Sequence, residues 1–121
     1  MIKTTMQKAF DGFVTLTRIR GKVKGMDALH LFHMKNMLRE PVDFQNEEEL
    51  KLVEEHGGTV TDNGTIIIAD PEKREAYRVA RKQLAEMECE VQTDPVKVNL
   101  ERNPDITMEE IELLQDFVIF E

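Results

Sequence analysis

Residues 59–73 of the chain, TVTDNGTIIIADPEK, carry its strongest local folding signals. Two short runs rich in β-branched residues flank residues 62–64, where the Asn-Gly pair supplies the positive backbone φ angles that a tight hairpin turn requires. The segment therefore predicts a β-hairpin. Directly after it, Asp70 is placed to cap a helix, and Pro71 is placed at the first helical position, where its missing N–H costs nothing. A helix is predicted to begin there.

The helix that follows the hairpin is predicted over residues 71–90. Glu, Lys and Arg occupy most of its surface, while its apolar residues follow one another at spacings of three and four: Tyr77, Ala80, Leu84, Met87 and Val91. Such a narrow apolar stripe is typical of one arm of an antiparallel helical pair. The other arm is predicted upstream, so that the hairpin joins the two helices.

The upstream segment contains two helical patterns separated by a proline. Residues 26–39 place apolar side chains around more than half of a helical circumference, which is a wider face than one surface helix needs. Residues 46–56 begin with Asn46 as a cap and Glu49 in capping-box position, and a Gly-Gly pair follows them. Pro41 lacks an N–H and disfavours helical geometry at the residue before it. One bent helix and two separate helices therefore both remain open.

The N-terminal segment and residues 96–100 suggest one more helix and one more strand. Residues 5–19 place apolar side chains on a helical stripe, although their second half also alternates apolar with polar residues in the manner of a strand. A helix is the favoured prediction. Residues 96–100 alternate Val and Leu with polar residues after a proline, which predicts a short, half-buried strand.

The C-terminal segment begins with a clear helix start. Thr107 and Glu110 have the spacing of a capping box, which predicts a helix over residues 107–116. The apolar residues 117–120 would be costly to leave in water, so we expect them to pack on the core or to add an edge strand. Together these elements predict a single α+β domain over residues 1–121, mostly helical, with a hairpin and a short extra strand.

Length and composition limit the classes to which the protein can belong. With 121 residues and one cysteine, Cys89, the chain suits one domain without an intramolecular disulfide. No run approaches the roughly 18 apolar residues of a membrane span. The N-terminus also lacks the apolar centre of a secretion signal, so we expect no membrane contact and a cytoplasmic location.

The net charge of −8 is unevenly distributed along the chain. Residues 1–46 hold 8 basic and 4 acidic residues, which gives +4, whereas residues 47–121 hold 8 and 20, which gives −12. The acidic majority argues against nucleic acid as a partner, because binding to phosphates depends on Lys and Arg. It is compatible with binding to a basic protein surface.

Residues that carry chemistry are few and form no recognisable catalytic motif. His30 and His33 lie three apart on a predicted helix, close enough to share a metal ion, but no further ligand follows at metal-site spacing. The basic residues between positions 18 and 24 lack a nucleotide-loop pattern and interleaved aromatic residues. Cys89 has no recognisable neighbour that would activate its thiol. We therefore predict no catalytic, cofactor-binding or metal-binding residue, and no enzymatic activity.

The wide apolar face of residues 26–38 is the best candidate for a binding surface. It holds more apolar side chains than one helical stripe buries in a domain of this size, and exposed patches of that kind usually mark interfaces. A role in the core remains the alternative explanation. The predicted partner-binding residues are Leu29, Phe32, His33 and Met37. We also expect a homodimer or higher oligomer through this face, with each basic half facing an acidic one.

Four segments follow one another in a recognisable order: MKNML (34–38), EEHGG (54–58), DNGTIIIADPEK (62–73) and ITMEEIELLQDF (106–117). From Met26 onward, the chain resembles an uncharacterised family of small proteins encoded by tailed phages of Gram-positive bacteria and by their prophages. The resemblance implies a phage or prophage origin, and a location in the cytoplasm of the bacterial host or in the virion. The family has no established catalytic residues, so none is transferred to this chain.

Three functional hypotheses remain, in order of preference. The first is a phage-encoded, non-catalytic protein that binds a virion component during assembly or works as a small chaperone. The second is an acidic inhibitor that covers the basic site of a host defence enzyme or nucleic-acid-processing enzyme, which the charge of residues 47–121 suggests. The third is a metal- or nucleotide-dependent enzyme, which is disfavoured because no convergent polar constellation is recognisable.

Overall fold

Four helices and six short strands make up the fold, and the computed structural model describes all residues, 1–121. In chain order the elements are β1 (Ile2–Thr5), α1 (Met6–Ile19), α2 (Gly25–Glu55), β2 (Thr59–Val60), β3 (Ile66–Ile67), α3 (Pro71–Glu86), β4 (Glu88–Val91), β5 (Val96–Val98), α4 (Met108–Leu113) and β6 (Val118–Phe120). Helices predominate, which confirms the predicted mostly helical α+β class. None of the helices combines the length and the apolar composition that a membrane crossing requires.

The longest element is α2, which continues through Pro41 without a break. Its 31 residues correspond to a length of about 46 Å. A proline inside a helix costs about 3 kcal/mol. Burial of Leu38 and Val42 on either side contributes about 1.5–3 kcal/mol each and offsets that cost. The bounds predicted for two separate helices, 26–39 and 46–56, are therefore wrong, and the single helix is the correct alternative.

The six strands form three separate pairs. β1 and β4 are antiparallel, with Ile2 opposite Val91. β2 and β3 form the predicted hairpin around the Asn-Gly turn. β5 and β6 are parallel, with Val96 opposite Val118, so the apolar C-terminal residues do add an edge strand.

Two predicted helices are longer than the observed ones. The helix predicted over residues 71–90 ends at Glu86, because residues 88–91 pair with β1, a strand that the sequence pattern did not indicate. The helix predicted over residues 107–116 spans only Met108–Leu113 and keeps its capping box. The N-terminal helix matches its predicted bounds closely, since Thr5 accepts a hydrogen bond from the backbone N of Lys8.

Buried apolar side chains form two groups of unequal size. The larger group joins α1, the first half of α2, α4 and four of the strands, and we call this part the body. Its core has 14 residues: Ile2, Ala9, Leu16, Ile19, Val23, Leu31, Met34, Leu38, Val91, Val98, Ile106, Leu114, Phe117 and Val118. The smaller group lies where the second half of α2, the hairpin and the start of α3 meet, and we call this part the arm. Its core is Val53, Ile68 and Tyr77.

Candidate functional site

An apolar groove of about 350 Å³ lies on the body, where the end of α1 meets the first half of α2. Leu16, Val23 and Leu31 are buried members of the body core and form its floor. Leu29 and Phe32 stand at its edge and keep 59% and 62% of their surface exposed. Large apolar side chains beside an apolar depression are typical of a surface that another molecule covers.

Cations border this groove, and none of them has a carboxylate partner within the chain. Arg20 and Lys35 line the groove itself. The ammonium group of Lys35 lies 5.4 Å from the ring centroid of Phe13, and the guanidinium of Arg39 lies 5.9 Å from the same centroid. All eight salt bridges of the chain involve other cations. The groove therefore has an apolar floor and a positive rim, which suits a partner that is both apolar and acidic.

Polar contacts hold the loop between α1 and α2 at the end of the groove. The buried carboxylate of Asp27 accepts a hydrogen bond of 2.8 Å from the amide nitrogen of Asn103. The amide oxygen of Asn103 in turn accepts one of 3.3 Å from the backbone N of Lys24. In the same loop, the ammonium group of Lys22 donates to both carboxylate oxygens of Glu110, at 2.9 and 3.1 Å. These contacts tie the loop to the segment around α4.

The ion pair between Lys22 and Glu110 gives one of the basic residues in this loop a partner within the chain. Burial raises the pKa of the Glu110 carboxyl, but the backbone N–H of Thr107 and the ammonium group of Lys22 outweigh burial and bring the pKa below its usual value. Glu110 is therefore ionised at neutral pH and holds Lys22 in place. Lys22 therefore has a structural partner, and the basic cluster of residues 18–24 is not uniformly free for a ligand.

The structure separates the four residues that were predicted to bind a partner. Leu29 and Phe32 lie together at the groove. Met37 is half-buried and packs against the body core. The Nε2 atom of His33 lies 3.2 Å from the hydroxyl oxygen of Thr93, in the segment between β4 and β5. The first two residues share one surface, and the other two face a different part of the body.

Sequence reasoning did not find the residues that α1 and the following loop contribute to the groove. Leu16 and Arg20 lie four positions apart on and just after α1, and this spacing places them on one side of a helix. That spacing was the available local signal. The spacing indicates that Leu16 and Arg20 share one side of α1, but it does not indicate that α2 packs beside that side.

His30 and His33 each have a contact within the body, and Cys89 is half-buried there. The Nδ1 atom of His30 lies 2.9 Å from the backbone oxygen of Lys97, so His30, like His33, contacts the region of β4 and β5. No group of three or more His, Cys, Asp or Glu residues is placed to hold a metal ion. Burial raises the pKa of the Cys89 thiol, which keeps the thiol protonated at neutral pH and makes it a poor nucleophile.

A second and larger depression, of about 660 Å³, runs along α3 and is lined mainly by charged residues. Its arginines already have partners. The Nε atom of Arg74 donates to a backbone oxygen, Arg78 is paired with Glu75 at 2.6 Å, and Arg81 is paired with Glu49 at 3.0 Å. This depression therefore offers an internally paired charged surface, and the apolar groove is the better candidate site.

No known protein is similar to this chain in the three comparisons that follow. Protein-family models, curated proteins and solved structures were compared with the chain, and none of them matches it. The resemblance to small phage proteins therefore stays a prediction. The function has to be inferred from the residues of this chain alone.

Proposed function

We propose that this protein acts by binding another protein in the apolar groove, and that it is not an enzyme. The observation that carries the proposal is the exposure of Leu29 and Phe32 beside a floor of buried apolar side chains. Full burial of such a side chain contributes about 1.5–3 kcal/mol, so covering both residues would contribute about 2–4 kcal/mol to binding. The rim cations would add selectivity for an acidic partner.

The partner in this proposal is a virion component. The protein binds this component during assembly or protects it as a small chaperone. The protein is phage-encoded and works in the cytoplasm of the bacterial host or in the virion. The resemblance to small phage proteins supports this choice of partner. The groove supports the mode of action, because an apolar centre with a charged rim is the usual anatomy of a protein interface.

The test is capture of a partner from infected host cells with two variants of the tagged protein. Phe32→Asp places a charge in the groove at a position that is already exposed, so the fold is retained. Val79→Asp makes the same kind of change at an exposed residue of α3 and is the matched control. We expect Phe32→Asp to capture at least about tenfold less virion protein than the wild type. A tenfold loss of affinity corresponds to 1.4 kcal/mol of binding free energy. Equal capture by both variants would exclude the groove as the binding site.

A second candidate function is supported by the outer side of the second half of α2. There the exposed acidic residues Glu40, Asp43 and Glu47 line a shallow depression together with Phe44, which is 42% exposed. Arg39 is the one cation in this depression. Such a surface suits an inhibitor that covers the basic site of a host enzyme. The double variant Asp43→Lys/Glu47→Lys should then lose the host enzyme, whereas Phe32→Asp should keep it. The opposite result would place the host enzyme in the groove and would contradict the acidic surface as its binding site.

A further inference from the structure

The solvent-facing side of α2 carries an apolar pattern of its own. Leu29 and Leu50 are 59% and 55% exposed, and they lie three heptads apart. Each heptad drifts by about 20° around a straight helix, so Leu50 lies about 60° around α2 from Leu29, on the same half of its circumference. Asn36 and Asp43 occupy the two intermediate heptad positions and are also exposed. This side of α2 therefore has a large apolar residue at each end and polar residues in the middle.

The two halves of α2 carry opposite net charges. Residues 25–39 contain two basic residues and one acidic residue, which gives +1, whereas residues 40–55 contain one basic and seven acidic residues, which gives −6. The groove lies beside the positive half, and its rim cations Arg20 and Lys35 have no carboxylate partner in the chain. Antiparallel pairing of two such helices brings each half against its opposite, and parallel pairing brings like charges together.

We propose that the groove receives a second copy of this chain, and that the two copies pair antiparallel along the solvent-facing side of α2. Leu50 of one copy then lies beside Leu29 and the groove of the other, and in a two-fold pairing this contact occurs twice. The proposal rests on the proposed function in that both use the groove as a protein-binding surface, and the second copy and the virion component are alternative occupants of it.

The register of this pairing follows from the two leucines. When Leu29 faces Leu50 of the second copy, the two-fold axis passes between Arg39 and Glu40, so each Arg39 faces a Glu40 across the interface. The same register sets the amide of Asn36 against the carboxylate of Asp43. Helices that touch at heptad spacing cross at about 20°, and polar residues inside such contacts specify orientation. The overlap fits within the length of α2.

The first test is the mass of the full-length protein in solution, by light scattering and sedimentation. We expect a dimer at tens of micromolar, weakened but not abolished by salt, because apolar burial is not screened while exposed charge pairs are. Leu50→Asp should raise the dimer dissociation constant by at least about tenfold, which corresponds to 1.4 kcal/mol. Val79→Asp is the control and should leave it unchanged. A wild-type protein that stays monomeric under these conditions overturns the proposal.

A charge exchange tests the contact at the two-fold axis. Arg39→Glu sets two carboxylates against each other at each of the two symmetric contacts and should weaken the dimer. The double variant Arg39→Glu/Glu40→Arg exchanges the two charges and should restore it. A double variant that dimerises no better than Arg39→Glu would contradict this register.

Disulfide cross-linking tests the direction of the pairing. In a Cys89→Ala background, chains with Leu29→Cys are mixed with chains that carry Leu50→Cys and are then oxidised. Antiparallel pairing predicts a cross-link between the two kinds of chain and none within either kind. A parallel dimer would instead cross-link Leu29→Cys chains to each other, and that result would overturn the antiparallel arrangement.

Failure of this inference and failure of the proposed function give different results. A wild-type monomer that still captures a virion protein through Phe32 keeps the proposed function and removes the dimer. A dimer with the expected cross-link that captures no virion or host protein keeps the pairing and removes the proposed function.

Discussion

The body and the arm share α2, but they are held together in different ways. The 14 core residues of the body come from both ends of the chain, from Ile2 to Val118. The core of the arm consists of only three residues, Val53, Ile68 and Tyr77, which lie within 25 positions of one another in the sequence. Regions with few buried apolar contacts open at low free energy, whereas a large core opens only with global unfolding. We therefore expect the arm to open locally while the body stays folded.

Polar contacts do not compensate for the small core of the arm. The hydroxyl of Tyr77 donates to a carboxylate oxygen of Glu49 at 3.3 Å, and Arg81 donates to the same oxygen at 3.0 Å. Burial raises the pKa of Tyr77, and the carboxylate of Glu49 raises it further. Ion pairs at the surface contribute about 0–1 kcal/mol, so this network orients the arm more than it stabilises it.

The largest expected effect comes from the body. Phe117 has no exposed surface, and Phe117→Ala removes a large side chain from the body core. The free energy of unfolding should fall by about 3–5 kcal/mol, because such a cavity cannot fully collapse. Urea unfolding followed by circular dichroism measures the change. Ile119→Ala, two residues away at a position that is 45% exposed, should change it little. Similar losses in both variants would contradict the assigned core.

Gly58→Ala tests whether the arm opens on its own. A Cβ atom at Gly58 would lie 2.8 Å from a side-chain carbon of Ile68 and 2.9 Å from one of Val53, so the arm core has no room for it. Overpacking of this kind costs about 1–3 kcal/mol. Hydrogen exchange should become faster in the hairpin and the start of α3 while the body stays protected. Gly21→Ala, with nothing within 4 Å of the added atom, is the control. Faster exchange throughout the chain would show that body and arm unfold together.

Glu110→Gln tests an ion pair that belongs to the body. The pKa of Glu110 is lowered in the folded protein, so its carboxylate stabilises the fold above the unfolded pKa of about 4.3, and this contribution is lost as the pH falls through the folded pKa. We expect the variant to lose about 1.5 kcal/mol at pH 7, where the charge-assisted contact to Lys22 is missing. The difference from wild type should shrink in urea unfolding below about pH 4.

The control for this ion pair is Glu109→Gln in the same turn of α4, because Glu109 is exposed and makes no salt bridge. It should have almost no effect at either pH. If Glu110→Gln lowers the free energy of unfolding by the same amount at neutral and acidic pH, the charge of Glu110 does not cause the effect.

The smallest expected effect is an increase in the free energy of unfolding when Gln45, a buried residue in the middle of α2, is replaced. Its side-chain oxygen accepts no hydrogen bond from the chain, and an unpaired buried acceptor is costly. Gln45→Leu should therefore raise the free energy of unfolding by about 1 kcal/mol. Asn46→Leu at the adjacent exposed position should give no such gain. A loss in Gln45→Leu would show that the amide is needed where it lies.

The hairpin and the start of α3 could be predicted from the sequence because their folding signals are local. The Asn-Gly turn, the Asp70 cap and Pro71 each act within a few residues, and the observed hairpin and helix start agree with them. The same holds for Thr107 and Glu110, whose capping box is present. Signals of this kind do not depend on what the rest of the chain does.

Much of the body could not be predicted because its contacts are distant in sequence. Met87 and Val91 continue the helical spacing of α3, but pairing with β1 draws residues 88–91 into a strand. Pro41 suggested a helix end, and burial along α2 overrode it. Leu29 and Phe32 were identified because residues 26–38 hold too many apolar side chains for one buried stripe. The groove beside them depends on the packing of α1, which no local pattern shows.

The parallel pairing of β5 with β6 has a consequence for the order in which the chain folds during its synthesis. The residues of the arm, up to Glu86, leave the ribosome before β6 does, so the arm can fold before the body is complete. The body has to wait for Leu114, Phe117 and β6, and until then α1 and the first half of α2 expose the surfaces that these residues later cover. Apolar surface that is exposed during that interval favours aggregation of the nascent chain.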